Sequence, residues 1–286
     1  MLISGREGVA RTVPSAGMRA LLCHPDESPI RSGARAVCPQ CGAYWDLDSC
    51  SHEAAYGTAY PSQHLHFENE IGRLKVKTMT RWLRAVNVDP RQHVVCEVGF
   101  GGGFCLASLH GMAQDVFGIE VVPESVRHAI SLGLPASQLY LFRERPSRLP
   151  RPISLWLFQD SFEHVLDVEG FFLWVRDNST RDALVLIVSP DAMSWSRRLL
   201  GRYWPHKLNE HLFHWSLEGL AGLCRRYGFS KVRRFSPMKR ISTAMALNHL
   251  ALMRLPLAGL VLRRVIPSCE AWFNVGEMGV LFQRDG

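Results

Sequence analysis

The stretch VVCEVGFGGGF, residues 94–104, ends a run of β-forming residues with a carboxylate, Glu97, and then places four glycines within five positions. Glycine adopts positive φ angles and lets another group lie directly against the main chain. The stretch therefore predicts a buried strand and a tight loop that a ligand approaches closely. In an open parallel sheet, the loop after the first strand lies at the centre of the ligand-binding edge.

The rest of the chain alternates helical and strand patterns around this stretch. Apolar residues recur at helical spacing over residues 67–90, and a helix is predicted from Phe104 to Gln114. Further strands are predicted at residues 116–122, 139–144, 153–160, 183–190, 229–235 and 276–284. Near-continuous apolar strands that alternate with helices predict a mostly parallel sheet in an α/β sandwich.

Composition sets limits on the class of protein. The 286-residue chain is 47% hydrophobic and 21% charged, which indicates a globular protein rather than a disordered one. Its net charge of +7 is spread along the sequence, so it gives no strong signal for nucleic-acid binding. The N-terminus has no apolar core of signal-peptide length, no uninterrupted apolar run reaches membrane-span length, and a cytoplasmic location is expected.

The eight cysteines divide into two groups. Cys96, Cys105, Cys224 and Cys269 lie in apolar patterns and are interpreted as core residues. The other four, Cys23, Cys38, Cys41 and Cys50, lie in a turn-rich segment over residues 21–60, after a loose N-terminus over residues 1–20. Cys38-Pro-Gln-Cys41-Gly has the form of half a zinc site. The other ligands could be Cys23, Cys50, His24 or His52, and a degenerate ribbon with free thiols is the alternative.

The glycine pattern distinguishes two cofactor classes. A dinucleotide loop requires GxGxxG, but counting from Gly99 the last required glycine falls on Phe104. The run instead reads ExGxGxG, with Glu97, Gly99, Gly101 and Gly103. This resembles the first motif of class I S-adenosylmethionine-dependent methyltransferases, in which the loop packs against the cofactor; a simple tight turn is the structural alternative.

Two further acidic residues fit that resemblance. Glu120 ends the second strand of the domain, where a carboxylate can accept both hydrogen bonds of a ribose diol. Glu144 aligns with the position that contacts the adenine amine in relatives. The resemblance thus implies cofactor contacts from both, and from Asp160 after the fourth strand.

The stretch FQDSFEHVLDVEGFF, residues 158–172, resembles the ubiquinone-biosynthesis O-methyltransferases. The likeness spans residues 35–284 and implies a Rossmann-like three-layer sandwich with a seven-stranded sheet, the last two strands antiparallel. The methyltransferase domain is placed at residues 65–286, behind a small zinc-ribbon-like segment. Ser216 is predicted to cap the helix that Gly228 ends.

Methyl transfer to a hydroxyl or ammonium requires a base, and histidine is the best suited residue type. His164 is the first candidate, while His211 and His214 could line the acceptor pocket; packing roles are the alternative for all three. Asp160, Glu163 and His164 at i, i+3 and i+4 could instead hold a divalent ion. Glu163 could equally favour a helix N-terminus.

Residues 243–266 are apolar on almost every helical face but are interrupted by His249, Arg254 and Pro256. They lie within an insertion-like segment over residues 236–276, and they are expected to form a lid over a hydrophobic acceptor. A membrane-surface helix and ordinary packing are the alternatives.

Together these observations predict a methyltransferase that uses S-adenosylmethionine on a small-molecule, lipid-like or sugar-linked acceptor. The alternative is a non-catalytic module that keeps the methyltransferase fold for binding or for interaction with nucleic acid.

Overall fold

A computed structural model describes residues 30–32, 35–46, 68–165, 167–207, 211, 213–243, 245, 269–274 and 276–286. The predictions for residues 1–20, for Cys23, His24, Cys50 and His52, and for nearly all of residues 243–266 lie outside the described residues.

Strands and helices alternate along most of the described chain. The strands are β1 (Ile30–Ser32), β2 (Arg35–Val37), β3 (Tyr44–Asp46), β4 (Val94–Val98), β5 (Asp115–Glu120), β6 (Leu139–Leu141), β7 (Ile153–Gln159), β8 (Ser179–Pro190), β9 (Phe213–His214), β10 (Phe229–Phe235), β11 (Lys239–Ser242), β12 (Glu270–Phe273) and β13 (Glu277–Arg284). The helices are α1 (Asn69–Ala85), α2 (Phe104–His110), α3 (Pro123–Ser131), α4 (Val168–Asp177), α5 (Trp195–Leu200) and α6 (Leu217–Arg226).

The central sheet has the order β10-β13-β8-β7-β4-β5-β6. Strands β4 to β8 run parallel, while β13 is antiparallel to both β8 and β10. The predicted Rossmann-like sandwich with a mostly parallel seven-stranded sheet is therefore confirmed. Strand β4, which leads into the glycines, lies in the middle of the sheet, so its C-terminal end opens at the centre of the edge where ligands bind.

Both faces of the sheet are covered. Alternate residues of each strand point to opposite faces. One face packs in a cluster that includes Trp156, Phe158 and Phe171, and the other in a cluster that includes Leu106 and Leu109. This two-sided burial explains the near-continuous apolar runs of the strand sequences.

Local signals set several element ends. The Ser216 side chain accepts a hydrogen bond from the Gly219 amide at the start of α6, and Gly228 follows that helix with φ of 80°. Both predictions are confirmed. The helix after the glycines is shorter than predicted and ends at His110, before Gly111. Cys269 is exposed, so its prediction as a core residue was wrong.

The N-terminal segment joins the main domain through a second sheet of order β1-β2-β3-β9. Strand β3 pairs antiparallel with β9, which lies just before α6. Cys38 and Cys41 are buried on the turn between β2 and β3, and a Cβ at Gly219 of α6 would lie 3.2 Å from the Cys41 sulfur. The segment is thus packed onto the domain whether or not its thiols bind zinc, and the zinc set remains a prediction.

Strands β11 and β12 pair antiparallel in a third, two-stranded sheet. They lie at the two described ends of the predicted insertion-like segment over residues 236–276. The sequence patterns did not predict this pair.

Candidate functional site

The glycine loop, residues 99–103, has three glycines with positive φ, and their surroundings differ. A Cβ at Gly99 would lie 2.5 Å from the Ser161 Cβ, and a Cβ at Gly103 would lie 2.7 Å from the Ala129 Cβ. At Gly101, with φ of 54°, the nearest neighbour of such a Cβ is the Lys75 Nζ at 4.0 Å. Gly99 and Gly103 are therefore required by packing within the fold, whereas Gly101 leaves open space above the backbone.

Glu120 is buried at the end of β5 and fastens this loop. Its Oε2 accepts a hydrogen bond from the Gly101 amide at 2.7 Å, and its Oε1 accepts from the amides of Val121 and Val122. Burial raises the pKa of Glu120, although the three amides and Lys75 oppose that rise. The carboxylate thus holds the glycine loop and has one acceptor position left on Oε2.

Glu97 lies beneath the loop at the end of β4. Its Oε1 accepts a hydrogen bond from Gln159 Nε2 at 2.7 Å, while its Oε2 is buried and has no hydrogen-bond partner among the described residues. Burial raises the pKa of Glu97 to about 8, and the nearby Lys75 ammonium limits the rise. A buried carboxylate oxygen without a partner is costly, so it indicates room for a donor or cation from a ligand.

These features fit S-adenosylmethionine, a cationic nucleoside with ammonium and ribose donors. The open space above Gly101, the unpartnered Glu97 oxygen and the remaining acceptor position of Glu120 lie at one part of the sheet edge. Lys75 of α1 extends towards the same place, and no sequence motif marked it. Glu144 lies apart from the buried carboxylates, exposed on the turn that follows β6.

A second group of charges lies at the end of β7. Lys239 donates hydrogen bonds to Asp160 Oδ2, at 2.5 Å, and to Glu277 Oε1. Asp160 has φ of 52°, a conformation that non-glycine residues adopt rarely. We call Asp160, Lys239 and Glu277 the charge cluster.

Burial and mutual charge set the protonation of the charge cluster. Burial would raise the pKa of Asp160, but the Lys239 ammonium outweighs it and the pKa is lowered. For Glu277, burial dominates over Lys239 and raises the pKa to about 8. Burial would lower the pKa of Lys239, yet the two carboxylates raise it above its ordinary value. The cluster therefore holds a permanent cation against one ionised carboxylate and one that readily keeps a proton.

Three predicted residues come together beside the charge cluster. The rings of His164 and His211 have centroids 4.7 Å apart, and one possible ligand atom each from Glu163, His164 and His211 can lie within 4.8 Å of one another. Glu163 Oε2 accepts a hydrogen bond from Ser189, while its Oε1 is buried without a partner among the described residues.

The metal set predicted from the sequence is arranged differently. Only a single 3-10 turn, Phe162–His164, follows β7, so Asp160 does not share a helical face with Glu163 and His164. Asp160 accepts a hydrogen bond from Lys239 instead. His211 takes the place of Asp160 as the third residue of the group with Glu163 and His164.

His211 and His214 differ from a base with an ordinary pKa. Burial, together with neighbouring histidines, lowers the pKa of His211 well below its ordinary value. Burial and the cations of Arg35 and Arg197 lower the pKa of His214 to about 3. His214 is stacked on Tyr44 at 4.4 Å between ring centroids. A histidine this hard to protonate is poorly suited to accept a proton at neutral pH.

Comparisons with known proteins agree with this architecture. A family model described as a methyltransferase domain matches residues 72–233, more than half of the chain, so the chain belongs to that family. No curated protein matches the chain.

Solved structures share the fold at low sequence identity. A candidate methyltransferase in complex with the Trm112 methyltransferase activator of Haloferax volcanii has a TM-score of 0.53 and 13% identity, over 82% of this chain and 98% of that one. A candidate sarcosine dimethylglycine methyltransferase from Galdieria sulphuraria has a TM-score of 0.50 and 15% identity, over 82% and 98%. A candidate methyltransferase from Bacillus halodurans has a TM-score of 0.50 and 10% identity, over 72% and 97%.

The protein has the fold of an S-adenosylmethionine-dependent methyltransferase. In the part of the chain that the structure describes, no helix is long and apolar enough to cross a membrane.

Proposed function

We propose that the protein transfers a methyl group from S-adenosylmethionine to a small-molecule, lipid-like or sugar-linked acceptor. The observation that carries this proposal is the open space above Gly101, bordered by the unpartnered Glu97 oxygen and by Glu120. A tight turn alone explains the positive φ and the open side of Gly101, which Gly133 shares, but it does not explain the two buried carboxylates, Glu97 and Glu120, beside this loop. The family membership supports the same reading.

Each residue around the glycine loop has a proposed role towards the cofactor. Gly99, Gly101 and Gly103 give the backbone its close approach, and Glu120 offers its remaining acceptor position to a ribose hydroxyl. Glu97 and Lys75 lie where the amino-acid part could meet complementary charges. Asp160 and Glu144 remain proposed contacts, Asp160 through the charge cluster and Glu144 from its exposed turn.

S-adenosylmethionine supplies an activated methyl group on a sulfonium, so the protein mainly has to align the acceptor and exclude water. His164 would take the proton that the acceptor hydroxyl or ammonium releases. His211, 4.7 Å away between ring centroids, would hold the His164 ring in place. His214 would shape the acceptor pocket rather than accept a proton, because its pKa is so low.

A divalent ion at Glu163, His164 and His211 is a second candidate for the same place. The buried, unpartnered Glu163 Oε1 favours it. An ion bound through His164 would remove that ring as a base, so the two roles exclude each other. Metal analysis of the purified protein distinguishes them: a bound ion that is lost in His211→Ala supports the metal, and a metal-free protein supports the base.

The experiment that tests the proposed function combines binding with a search for the acceptor. Calorimetry should show S-adenosylmethionine binding that Gly101→Arg abolishes. Protein and labelled cofactor, added to cell extract, should then produce a metabolite that gains a methyl mass. Absent cofactor binding would contradict the proposal and favour a non-catalytic binding module.

The proposed cellular location is the cytoplasm. Residues 243–266 are proposed to contact a membrane surface.

A further inference from the structure

A cavity of about 410 Å3 lies between the N-terminal sheet and α5, away from the glycine loop. Its volume falls in the ~300–1,000 Å3 range of small-molecule sites. The residues that line it are Arg35, Tyr44, Arg197, Arg198, Gly201, Trp204 and Lys207. We call it the basic pocket.

Four of these seven residues carry a positive charge, and no acidic residue is among the described residues that line the pocket. The guanidinium carbons of Arg35 and Arg197 lie 4.8 and 4.7 Å from the centroid of the Tyr44 ring. Arg197 is also fixed by a hydrogen bond from its Nη1 to the Ala192 carbonyl at 2.6 Å. Arg197, Arg198 and Lys207 thus bring three cations to one pocket, and an anion bound there would be attracted by all three.

The aromatic residues that line the basic pocket, Tyr44 and Trp204, also contact His214 of the candidate acceptor site. Tyr44 stacks on His214, and the rings of Trp204 and His214 have centroids 5.8 Å apart. His214 in turn contacts His211, at 6.0 Å between ring centroids, and His211 contacts His164. A row of rings thus leads from the basic pocket to the residue proposed as the base.

We propose that the basic pocket binds a phosphate or diphosphate group of the methyl acceptor, so that the acceptor is a phosphate-bearing molecule. The identification of the bound molecule as the methyl acceptor rests on the proposed function. The binding of phosphate to the basic pocket does not depend on it. Arginine binds phosphate with two parallel hydrogen bonds, and the pocket offers three arginines and a lysine for it. The N-terminal segment then has a role in substrate binding, because it supplies Arg35 and Tyr44.

The phosphate could belong to a soluble molecule or to a lipid headgroup. Trp195 and Leu199 of α5 are 69% and 74% exposed beside Arg198, which is why the lipid source must be tested separately. Both sources would present the same phosphate group to the basic pocket. Only a lipid headgroup would also make the protein bind to vesicles.

The test measures binding of inorganic pyrophosphate by calorimetry at low ionic strength. The variants are Arg197→Gln and the double variant Arg198→Gln/Lys207→Gln, whose two side chains belong to exposed residues and leave the core unchanged. Loss of charged hydrogen bonds should weaken pyrophosphate binding roughly tenfold or more in each. The matched control is Arg233→Gln, an exposed residue of β10, which should change the affinity less than about twofold.

S-adenosylmethionine binding is measured on the same preparations. If the cofactor binds normally while neither pyrophosphate nor vesicles bind, or while both bind equally well to all variants, the inference is wrong and the proposed function is left intact. Pyrophosphate binding that depends on Arg197 in a protein that does not bind the cofactor would support the basic pocket and contradict the proposed function.

The second arm uses sedimentation with phosphatidylglycerol vesicles. Vesicle binding that weakens in Arg198→Gln/Lys207→Gln but not in Arg233→Gln identifies a lipid headgroup as the source. Pyrophosphate binding without vesicle binding identifies a soluble phosphate. If neither pyrophosphate nor vesicles bind in a manner that depends on these residues, the inference is wrong.

Discussion

The glycine loop and the charge cluster lie at the same edge of the central sheet, but they are built in opposite ways. The glycine loop is a run of five consecutive residues in which three glycines take positive φ angles, and at Gly101 it leaves space for a ligand. The charge cluster joins side chains whose hydrogen-bonded pairs are 79 and 38 positions apart in the chain, and it fills its space with half-buried and buried charge. One region is open to a ligand, whereas the other already contains a cation paired with two carboxylates.

This difference separates binding from stability. Changes in the glycine loop should alter cofactor affinity more than folding, because the open side of Gly101 contributes little packing. Changes in the charge cluster should alter folding first, because removal of one buried charge leaves the others uncompensated. The following predictions test that division, beginning with the largest expected effect.

Gly101→Leu should weaken S-adenosylmethionine binding at least a hundredfold, about 2.7 kcal/mol, because the side chain would fill the space above the loop. Calorimetry measures the affinity. Gly133→Leu is the matched control, since Gly133 also has positive φ, 94°, and no atoms within 4 Å of an added Cβ. Both variants carry a backbone strain of about 1–2 kcal/mol, so equal losses of affinity would contradict the prediction.

Lys239→Met should lower the free energy of unfolding by roughly 2 kcal/mol, less than the ~3–5 kcal/mol of a fully buried pair. The expected effect is smaller than for a fully buried pair because the side chains of Lys239 and Asp160 are 25% and 38% exposed to solvent. The side chain of Glu277 is almost completely buried. Urea denaturation measures it. Lys231→Met on exposed β10 is the control, and an equal effect there would refute a role for the charge cluster.

Glu120→Gln should weaken cofactor binding about tenfold, because one carboxylate oxygen that accepts backbone hydrogen bonds is replaced by an amide donor. The Gly101 amide or the amides of Val121 and Val122 would then lose their acceptor. Calorimetry compares it with Glu124→Gln, an exposed residue of α3. If Glu120→Gln binds as tightly as the control, Glu120 does not hold the loop.

The pKa of Glu97 predicts the smallest effect, a dependence of stability on pH. Between about pH 4.5 and 8, folded Glu97 keeps a proton that the unfolded chain releases, because its pKa is about 8 instead of 4.5. Stability therefore falls as pH rises, by up to about 1.4 kcal/mol per pH unit from this group. Glu97→Gln should remove this group's share of the slope in urea denaturation series, while the share of Glu277, whose pKa is also about 8, remains. An unchanged slope would mean that folded Glu97 is ionised throughout.

Features that local chemistry determines could be predicted from the sequence. Alternating strands and helices indicated the sheet, the glycines indicated the tight loop, and Ser216 indicated a helix start, whereas the sequence indicated Glu120 only as a ribose contact and not as a partner of the Gly101 amide. Each of these depends on neighbours in sequence: glycine on its own φ, a cap on the amide three residues later.

The remaining features depend on contacts between distant segments. Nothing around Lys239 or Glu277 signals that they meet Asp160, since their proximity arises only when β11 and β13 are placed beside β7. The pairing of β3 with β9 likewise could not be predicted from the sequence, and it brings Tyr44 against His214. Hydrophobic periodicity predicts helices and strands, but it does not determine which short strands pair with each other.

The most direct test of the central claim is hydrogen exchange of the protein with and without S-adenosylmethionine. The account predicts that the cofactor slows exchange of the amides in residues 97–103 and 120–122, while the amides of β10 and β12 exchange as before. Cofactor binding that leaves the glycine loop unprotected, or no binding at millimolar cofactor, would contradict the account.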